Sequence, residues 1–223
     1  MSTRVISIAN AKGGVGKSTV TILLASALTH QLGKKVLILD TDSQESISDW
    51  KNSESRIYET ECPVTVEKCM PAHVHLYLQK FGSDYDIVFI DVPRMTHGLN
   101  ESATLQMLYY CDSVLIPVVG SRMDVTSTAN FFSLVSDAQE TKRKEDFDYD
   151  VFGFLNKETN RKDNQEAKKI MSDGVGVEMM ETTLRDLKIF TTPSLFESIL
   201  NSAEGKRRFE PFFQEVVTKL NLN

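Results

Sequence analysis

The stretch "NAKGGVGKSTV" (residues 10–20) has the residue types and the spacing of a phosphate-binding loop. Such a loop holds an anion with converging backbone N–H groups, and glycines leave room for the phosphate to approach them. The apolar run "VISIA" precedes the stretch and a helical pattern follows it. The positive end of a helix dipole is therefore expected to face the bound phosphates. This context predicts a nucleotide site.

Each polar side chain of the loop has an expected role. Lys17 is expected to reach the β- and γ-phosphates, the Ser18 hydroxyl to ligate Mg²⁺, and Thr19 to support the α-phosphate. Ala11 replaces the first glycine of the common G-x-x-x-x-G-K-[ST] pattern. The predicted nucleotide-binding residues of the loop are Gly13, Gly14, Val15, Gly16, Lys17, Ser18 and Thr19.

Three carboxylates end apolar runs that read as neighbouring strands. Asp91 ends "DIVFID", and "LILDTDSQ" carries Asp40 and Asp42. Because the carboxyl ends of parallel strands face one crevice, these groups are expected to meet beside the loop. Asp91 is predicted to hold a Mg²⁺-bound water, and one of the other two to orient an attacking water.

Short, continuous apolar runs alternate with helical patterns along the chain. The runs predict strands at 4–9, 35–39, 86–90, 113–119 and 150–155. Helices are predicted at 17–32, 71–81, 101–109, 124–140, 163–173, 195–201 and 205–220. Continuous runs indicate strands covered on both faces. We therefore expect an α/β fold, a doubly wound and mostly parallel sheet with helices on both faces, built as one P-loop domain over 1–223.

Composition narrows the functional classes. The formal net charge is −6 over 223 residues, which argues against a uniformly basic protein but leaves room for a local basic patch. The three cysteines form no C-x-x-C pair, so neither a metal nor a redox site is indicated. No run approaches the roughly 18 apolar residues of a membrane span. A cytoplasmic protein without stable membrane association is expected.

In these residues the sequence resembles the ParA/MinD ATPases, whose loop is the deviant Walker A motif K-G-G-x-G-K-[ST]. The matching segments, in order, are "KGGVGKST" (12–19), "DTDSQ" (40–44), "YDIVFIDVP" (85–93) and "DSVLIPVVGSRMDVTST" (112–128). The loop lies almost at the start of the sequence, and in this the sequence is similar to the short, ParF-like partition ATPases. Ser43 departs from the family's D-x-D-P-Q, where proline is usual.

The resemblance implies a role for Lys12, the additional lysine of the loop. In the family this lysine crosses a dimer interface and touches phosphates bound by the other subunit. The resemblance also implies that Asp42 positions the hydrolytic water, that Asp91 holds Mg²⁺ through water, and that Asp40 supports the water network. Ser18, Asp91 and Asp42 thus form the expected metal set, and ATP or ADP with Mg²⁺ the expected cofactors.

The same resemblance implies a cellular role. An ATP-bound homodimer would bind nonspecific DNA, associate with the nucleoid, and drive plasmid or chromosome partition. A centromere-binding, ParB-like adaptor would stimulate its slow ATP hydrolysis. Candidate DNA-binding residues are found in two basic clusters, Lys206, Arg207 and Arg208 in one and Arg161 and Lys162 in the other. The alternative for each cluster is a solvated helix face.

Two further residues have open interpretations. Asn156 ends "FGFLN", where such folds often read the adenine edge, but it is equally suited to a turn at the end of a strand. Arg94 follows "DVP" in the segment that would sense the γ-phosphate. It is a phosphate contact, an interface residue or simply an exposed side chain.

Two other functional classes share this loop. A MinD-like, membrane-positioning ATPase needs a basic amphipathic tail, whereas "FEPFFQEVVTKLNLN" has few cations and reads as a last helix packed on the sheet. A ligase of the dethiobiotin synthetase type would turn over a metabolite rapidly. Slow ATPase activity that DNA and a partner stimulate would argue against that reading.

Overall fold

The computed structural model describes residues 3–44, 46–95, 101–120, 122–159 and 161–223, without the side chains of 122–124 and 161. A seven-stranded sheet has the order β3-β2-β4-β1-β5-β6-β7. Its strands are β1 Arg4–Ile8, β2 Val36–Asp40, β3 Thr65–Lys68, β4 Ile87–Asp91, β5 Ser113–Val118, β6 Asp150–Glu158 and β7 Glu178–Arg185. Every neighbouring pair is parallel.

Seven α-helices connect and follow these strands in the described residues. They are α1 Lys17–Leu32, α2 Ser46–Tyr58, α3 Val74–Phe81, α4 Glu101–Tyr109, α5 Arg122–Lys144, α6 Arg161–Lys169 and α7 Ala203–Lys219. A π-helical turn at Ile170–Val175 extends α6. The alternation of strand and helix agrees with the predicted doubly wound architecture.

The sheet is buried on both faces, which explains its continuous apolar strands. In β4, Ile87 and Phe89 join one apolar layer, while Val88 and Ile90 join the other. The first layer lies under α1, α2 and α7, and the second lies under α3, α4, α5 and α6. The order of the strands along the sheet reverses beside β1. In a doubly wound sheet the ligand-binding crevice lies at the carboxyl ends of the strands at such a point, and the two layers support the carboxyl end of β1 there.

The C-terminal helix belongs to the core. Phe209, Phe212, Phe213 and Val216 of α7 are buried against the sheet. The helical spacing of apolar residues in this segment therefore reflects packing, as the sequence suggested. In the part of the chain that the structure describes, no helix has the length and apolar character needed to cross a membrane.

The structure adds elements that the sequence patterns did not predict. Strand β3 buries only Val66 fully, and β7 buries only Met179, Met180 and Leu184, so neither has a continuous apolar run. Both are edge strands of the sheet. Helix α2 is polar, with buried positions at Ile47, Ser48 and Glu54.

The helix predicted at 195–201 is wrong. Only a 3₁₀ turn forms there, at Ile199–Asn201. The Ser194 hydroxyl accepts hydrogen bonds from the backbone N–H groups of Phe196 and Glu197, both at 3.1 Å. Such side-chain bonds compete with the backbone bonds of a helix.

Candidate nucleotide-binding site

The phosphate loop connects the carboxyl end of β1 to the start of α1, as predicted. Gly14 and Gly16 have φ angles of 75° and 94°, in the left-handed region that glycine adopts without strain. Gly16 is also the N-cap of α1, and a Cβ atom there would overlap the side-chain amide of Asn156. The glycine spacing of the loop thus follows from backbone geometry and close approach together.

Lys17 is buried at the base of the loop. Its Nζ donates a hydrogen bond to the main-chain carbonyl of Lys12, 3.2 Å away. Burial lowers the pKa of Lys17, and the carboxylates of Asp91 and Asp42 oppose that lowering. A buried cation that two carboxylates influence, at the start of a helix, is suited to a bound phosphate with its metal.

Asp91 and Ser18 form the second part of the site. The Ser18 hydroxyl donates to Oδ2 of Asp91 at 2.9 Å, and Asp91 is only 1% exposed. Its Oδ1 is buried with no hydrogen-bond partner in the described residues. Burial raises the pKa of Asp91 to about 7, with a further increase from Asp40 and a decrease from the Ser18 hydrogen bond.

These two oxygen donors fit a magnesium ion. Mg²⁺ prefers oxygen ligands and is usually held by one or two carboxylates together with substrate phosphates and waters. A hydroxyl beside a carboxylate oxygen that lacks a partner supplies such ligands. Within the described ranges no group of three His, Cys, Asp or Glu residues could hold a metal ion, so a cage made only of protein side chains is not formed there.

The structure brings Asp40 and Asp42 to the same edge as Asp91, as the strand-end argument predicted. Asp40 is the direct register neighbour of Asp91 across β2 and β4. Oδ2 of Asp40 accepts hydrogen bonds from the backbone N–H of Ser48 at 2.8 Å and from its hydroxyl at 2.7 Å. Asp40 therefore holds the first turn of α2, a contact that the sequence did not indicate.

Asp42 is half-buried, and its Oδ1 accepts a hydrogen bond from the backbone N–H of Gln44 at 3.0 Å. Its charge is felt by both Lys17 and Asp91, because it contributes to the pKa of each. The position is close to the loop and more open to solvent than those of Asp40 and Asp91. Asp42 is thus the carboxylate best placed to meet a water molecule.

Asn10 anchors the entrance of the loop and was missed by sequence reasoning. It is 1% exposed, and its Nδ2 donates to the Pro117 carbonyl at 2.9 Å and to the Thr128 hydroxyl at 3.0 Å. Its Oδ1 accepts from the backbone N–H of Lys12 at 3.0 Å. An asparagine directly after the apolar run "VISIA" was the available signal, because a polar group at the end of a buried strand needs hydrogen-bond partners.

Lys12 and Arg94 lie on one side of the loop. The Lys12 residue is exposed and, with Arg94, lines a cavity of about 850 Å³ between the loop and α5. A Cβ atom on Gly13 would lie 3.4 Å from Cδ of Arg94. The backbone N–H of Met95 donates to the Ala11 carbonyl at 3.1 Å, which fixes this segment against the loop. The structure therefore places Arg94 on the phosphate loop.

A second, smaller cavity of about 190 Å³ opens on the other side of the loop. Asn156 and Lys157 at the end of β6 line it together with Gly16 and Thr19. Nδ2 of Asn156 donates to the Val15 carbonyl at 2.7 Å, and Nζ of Lys157 donates to the Gly14 carbonyl at 2.8 Å. Lys157 is a further residue that the sequence analysis did not single out.

The two basic clusters lie on opposite faces of the sheet. Lys206 and Arg207 are exposed at the start of α7, and Arg208 is half-buried. On α6, Lys168 pairs with Glu181 at 3.0 Å, and Lys162 is exposed. The side chain of Arg161 lies outside the described residues. Because α6 and α7 cover different faces of the sheet, a single DNA-binding surface on one subunit could not contain both clusters.

The sheet topology and the glycine loop together define a P-loop nucleotide-binding protein of the deviant Walker A type. Comparison with known proteins narrows this class. Residues 3–75 match the AAA_31 family, described as an AAA domain.

Curated relatives match most of the chain. The carboxysome distribution protein McdA of Halothiobacillus neapolitanus is 25% identical over 185 residues, 83% of this chain and 81% of its own. A ParA protein of Rhizobium radiobacter is 24% identical over 206 residues, 91% and 87% of the two chains. The solved ATP complex of a Cyanothece McdA variant has the same fold, with a TM-score of 0.76, 16% identity and coverage of 99% and 97%. Over most of its length the chain is thus similar to ParA-type and McdA proteins, and it shares its fold with solved structures of that kind.

Proposed function

We propose that this protein, as a single ATPase domain, dimerises on ATP, hydrolyses ATP slowly and acts as a switch in DNA segregation or cargo positioning. The observation that carries the proposal is the arrangement of two lysines on one loop. Lys17 is buried and hydrogen-bonded within the loop, whereas the Lys12 residue is exposed at the loop entrance. One loop thus has a cation for its own nucleotide and another at a surface that a second subunit can meet.

Within one subunit, residues 13–19 would cradle the phosphates of ATP or ADP. The backbone N–H groups of the loop and Nζ of Lys17 would neutralise the β- and γ-phosphates. The Ser18 hydroxyl and Asp91, joined at 2.9 Å, would hold Mg²⁺, with Asp42 on the same side. When bound, Mg²⁺ supplies positive charge to the β- and γ-phosphate oxygens.

Asp42 would aim the attacking water because it is the most accessible of the three carboxylates. The free oxygen of Asp40, Oδ1, is buried without a described partner and is the atom that would support the water network. Lys12 from the second subunit would stabilise charge that develops on the phosphates. A cation supplied in trans contributes about 10³–10⁵ in rate in related phosphoryl-transfer systems.

The base would occupy the 190 Å³ cavity beside Asn156. The Asn156 amide N–H is engaged by the loop, so its oxygen is the group available to an adenine amino group. Adenine is the base expected from the family.

DNA binding by the dimer would use the α7 cluster first. Lys206 and Arg207 are exposed, and the nearest carboxylate to Arg207, that of Glu204, is 4.0 Å away. Exposed ion pairs at that distance contribute little to stability, so Arg207 can exchange Glu204 for a DNA phosphate, with Lys206 beside it. A dimer doubles the number of such contacts. Nucleoid association in the ATP state would follow.

The cargo would be recruited through an adaptor that stimulates hydrolysis. Partition of a plasmid or chromosome through a ParB-like, centromere-bound protein is the first candidate. The similarity to McdA, whose name refers to carboxysome distribution, adds a protein assembly as a second kind of cargo. Either cargo would use the same nucleotide switch.

Sedimentation velocity tests the proposal. The protein would be measured with Mg·ADP and with a slowly hydrolysed Mg·ATP analogue, each with and without nonspecific duplex DNA. We expect a monomer with ADP, a dimer with the analogue, and a DNA complex only in the second state. A protein that remains monomeric with the analogue, or that binds DNA equally well with ADP, contradicts the proposed switch.

A further inference from the structure

Lys157 crosses from the end of β6 to the phosphate loop. Its Nζ lies 2.8 Å from the Gly14 carbonyl, and its Cε lies 3.9 Å from the position that a Cβ on Gly16 would occupy. The side chain therefore passes over Gly16 and ends at Gly14. Its α-carbon is held at a φ of 54°, an uncommon backbone state for a residue other than glycine.

The carbonyl that Lys157 binds belongs to the phosphate cradle. A cradle presents backbone N–H groups to the anion, so its carbonyl oxygens must point elsewhere. Nζ of Lys157 holds the Gly14 oxygen, and Nδ2 of Asn156 holds the next one, that of Val15, at 2.7 Å. Two consecutive carbonyls of the loop are thus bound by two consecutive residues of β6.

The alkyl part of Lys157 is also a wall of the smaller cavity. That cavity measures about 190 Å³ and is lined on its other side by residues 184–187 and by Phe190 and Thr191. It is smaller than the roughly 300–1,000 Å³ of most small-molecule pockets, so it fits a base but not a whole nucleotide. A lysine side chain can cover apolar surface with its methylene groups while its ammonium group keeps a polar partner, as Lys157 does here.

We propose that Lys157 couples the base subsite to the phosphate loop: its alkyl stem covers one face of the bound base while its ammonium group latches the Gly14 carbonyl. This inference rests on the proposed nucleotide site and adds a residue to it. A base that packs on the alkyl part of Lys157 keeps the ammonium group at the Gly14 carbonyl. Because this hydrogen bond holds the loop in place, the loop presents its N–H groups to the phosphates. Compounds that carry both a base and phosphates are then preferred over inorganic polyphosphate.

Two variants separate the two parts of the side chain. Lys157→Met keeps an alkyl stem of similar length and removes the ammonium group, whereas Lys157→Ala removes both. Lys188→Ala, an exposed lysine just beyond the cavity lining, serves as a control for loss of charge. Lys157→Gly, which suits the positive φ, replaces the alanine variant if that variant does not fold.

Calorimetry with Mg·ADP and with magnesium tripolyphosphate is the measurement. Losing the charged hydrogen bond is expected to weaken both ligands about 10-fold in Lys157→Met. Lys157→Ala is expected to weaken Mg·ADP about 10-fold further, because methylene contacts with the base are lost, and tripolyphosphate no further. The Lys188 control should match the wild type.

Several outcomes overturn the inference. Equal Mg·ADP affinities for the methionine and alanine variants would remove the stem from the base subsite. A wild-type affinity for tripolyphosphate in both variants would remove the latch. Failure of the proposed nucleotide site itself is distinguished by the wild type, which would then bind neither ligand.

Discussion

The ammonium group of Lys17 donates a hydrogen bond to the main-chain carbonyl of Lys12, 3.2 Å away. The two lysines of the loop are therefore connected, although one is buried and the other is exposed. In the proposed dimer this relationship would let one loop serve two subunits, because Lys17 would stay with its own phosphates while Lys12 would remain at the surface.

Substitution of Lys17 should affect nucleotide binding itself. Lys17→Gln is expected to weaken Mg·ATP binding about 10- to 100-fold, since a charged hydrogen bond to phosphate is worth about 1.5–3 kcal/mol. Titration with a fluorescent ATP analogue measures the loss. Lys12→Gln is the matched control and should bind the analogue within about threefold of the wild type. Equal losses in both variants would contradict the separate roles of the two lysines.

Asp91 should make the metal-free protein less stable as pH rises. Its folded pKa of about 7 exceeds the ordinary value of 3.8, so the folded state holds an extra proton between these values. The stability linked to that proton is complete below about pH 4 and lost as pH rises towards 7. Asp91→Asn removes this loss and is expected to be more stable than the wild type at pH 8, by an amount on the order of a few kcal/mol.

Urea unfolding with a chelator at pH 5 and pH 8 measures this effect. At pH 5 the folded wild-type carboxyl is still protonated and only part of this stability has been lost, so the advantage of the asparagine variant should be clearly smaller than at pH 8. The same difference in free energy of unfolding at both pH values would mean that Asp91 does not titrate in this range. Added Mg²⁺ and nucleotide should reverse the order of stability at pH 8, because only the wild type retains the carboxylate.

Asn10 should be a stability residue as well as a positioning residue. Asn10→Ala leaves the Pro117 carbonyl, the Thr128 hydroxyl and the Lys12 N–H without their described partner. The expected cost is about 2–4 kcal/mol of unfolding free energy, together with weaker nucleotide binding. Thr128→Val, which removes one of the three bonds, should cost about 1 kcal/mol. An Asn10→Ala protein with normal stability and nucleotide affinity would show that the anchor is dispensable.

The basic cluster on α7 should dominate DNA binding. A Lys206→Ala, Arg207→Ala double variant is expected to lower the DNA affinity of the ATP-state dimer and the slope of log K against log salt, by about 0.9 for each lost phosphate contact. A Lys162→Ala, Lys169→Ala variant on α6 is the matched comparison and should keep most of the slope. Fluorescence anisotropy at several salt concentrations measures both. The opposite ranking would move the DNA surface to the α6 face.

The buried strands and the loop were accessible from the sequence because their signals are local. The runs at β1, β2, β4, β5 and β6 are continuous and apolar, and the glycine spacing fixes the loop between β1 and α1. The edge strands β3 and β7 lack such runs because several residues of each strand are exposed. Their existence depends on pairing with β2 and β6, which a local pattern does not reveal.

The features of the site that the sequence did not predict depend on contacts between distant parts of the chain. Asp40 and Asp42 were expected at the site, but the hydrogen bonds from Ser48 that make Asp40 an anchor of α2 join different elements. Lys157 reads as an ordinary strand-end lysine until the fold brings it to Gly14, 143 residues earlier. Asn10 likewise meets Pro117 and Thr128 only in the folded protein.

The molecular mass of Lys12→Gln in the presence of a slowly hydrolysed Mg·ATP analogue tests the central claim most directly. Light scattering should show the 25.1 kDa wild-type chain doubling its mass with the analogue. Lys12→Gln should bind the analogue and either remain at the mass of one chain or form a dimer that no longer hydrolyses ATP. A Lys12→Gln protein that dimerises and hydrolyses ATP like the wild type would contradict the two-subunit site.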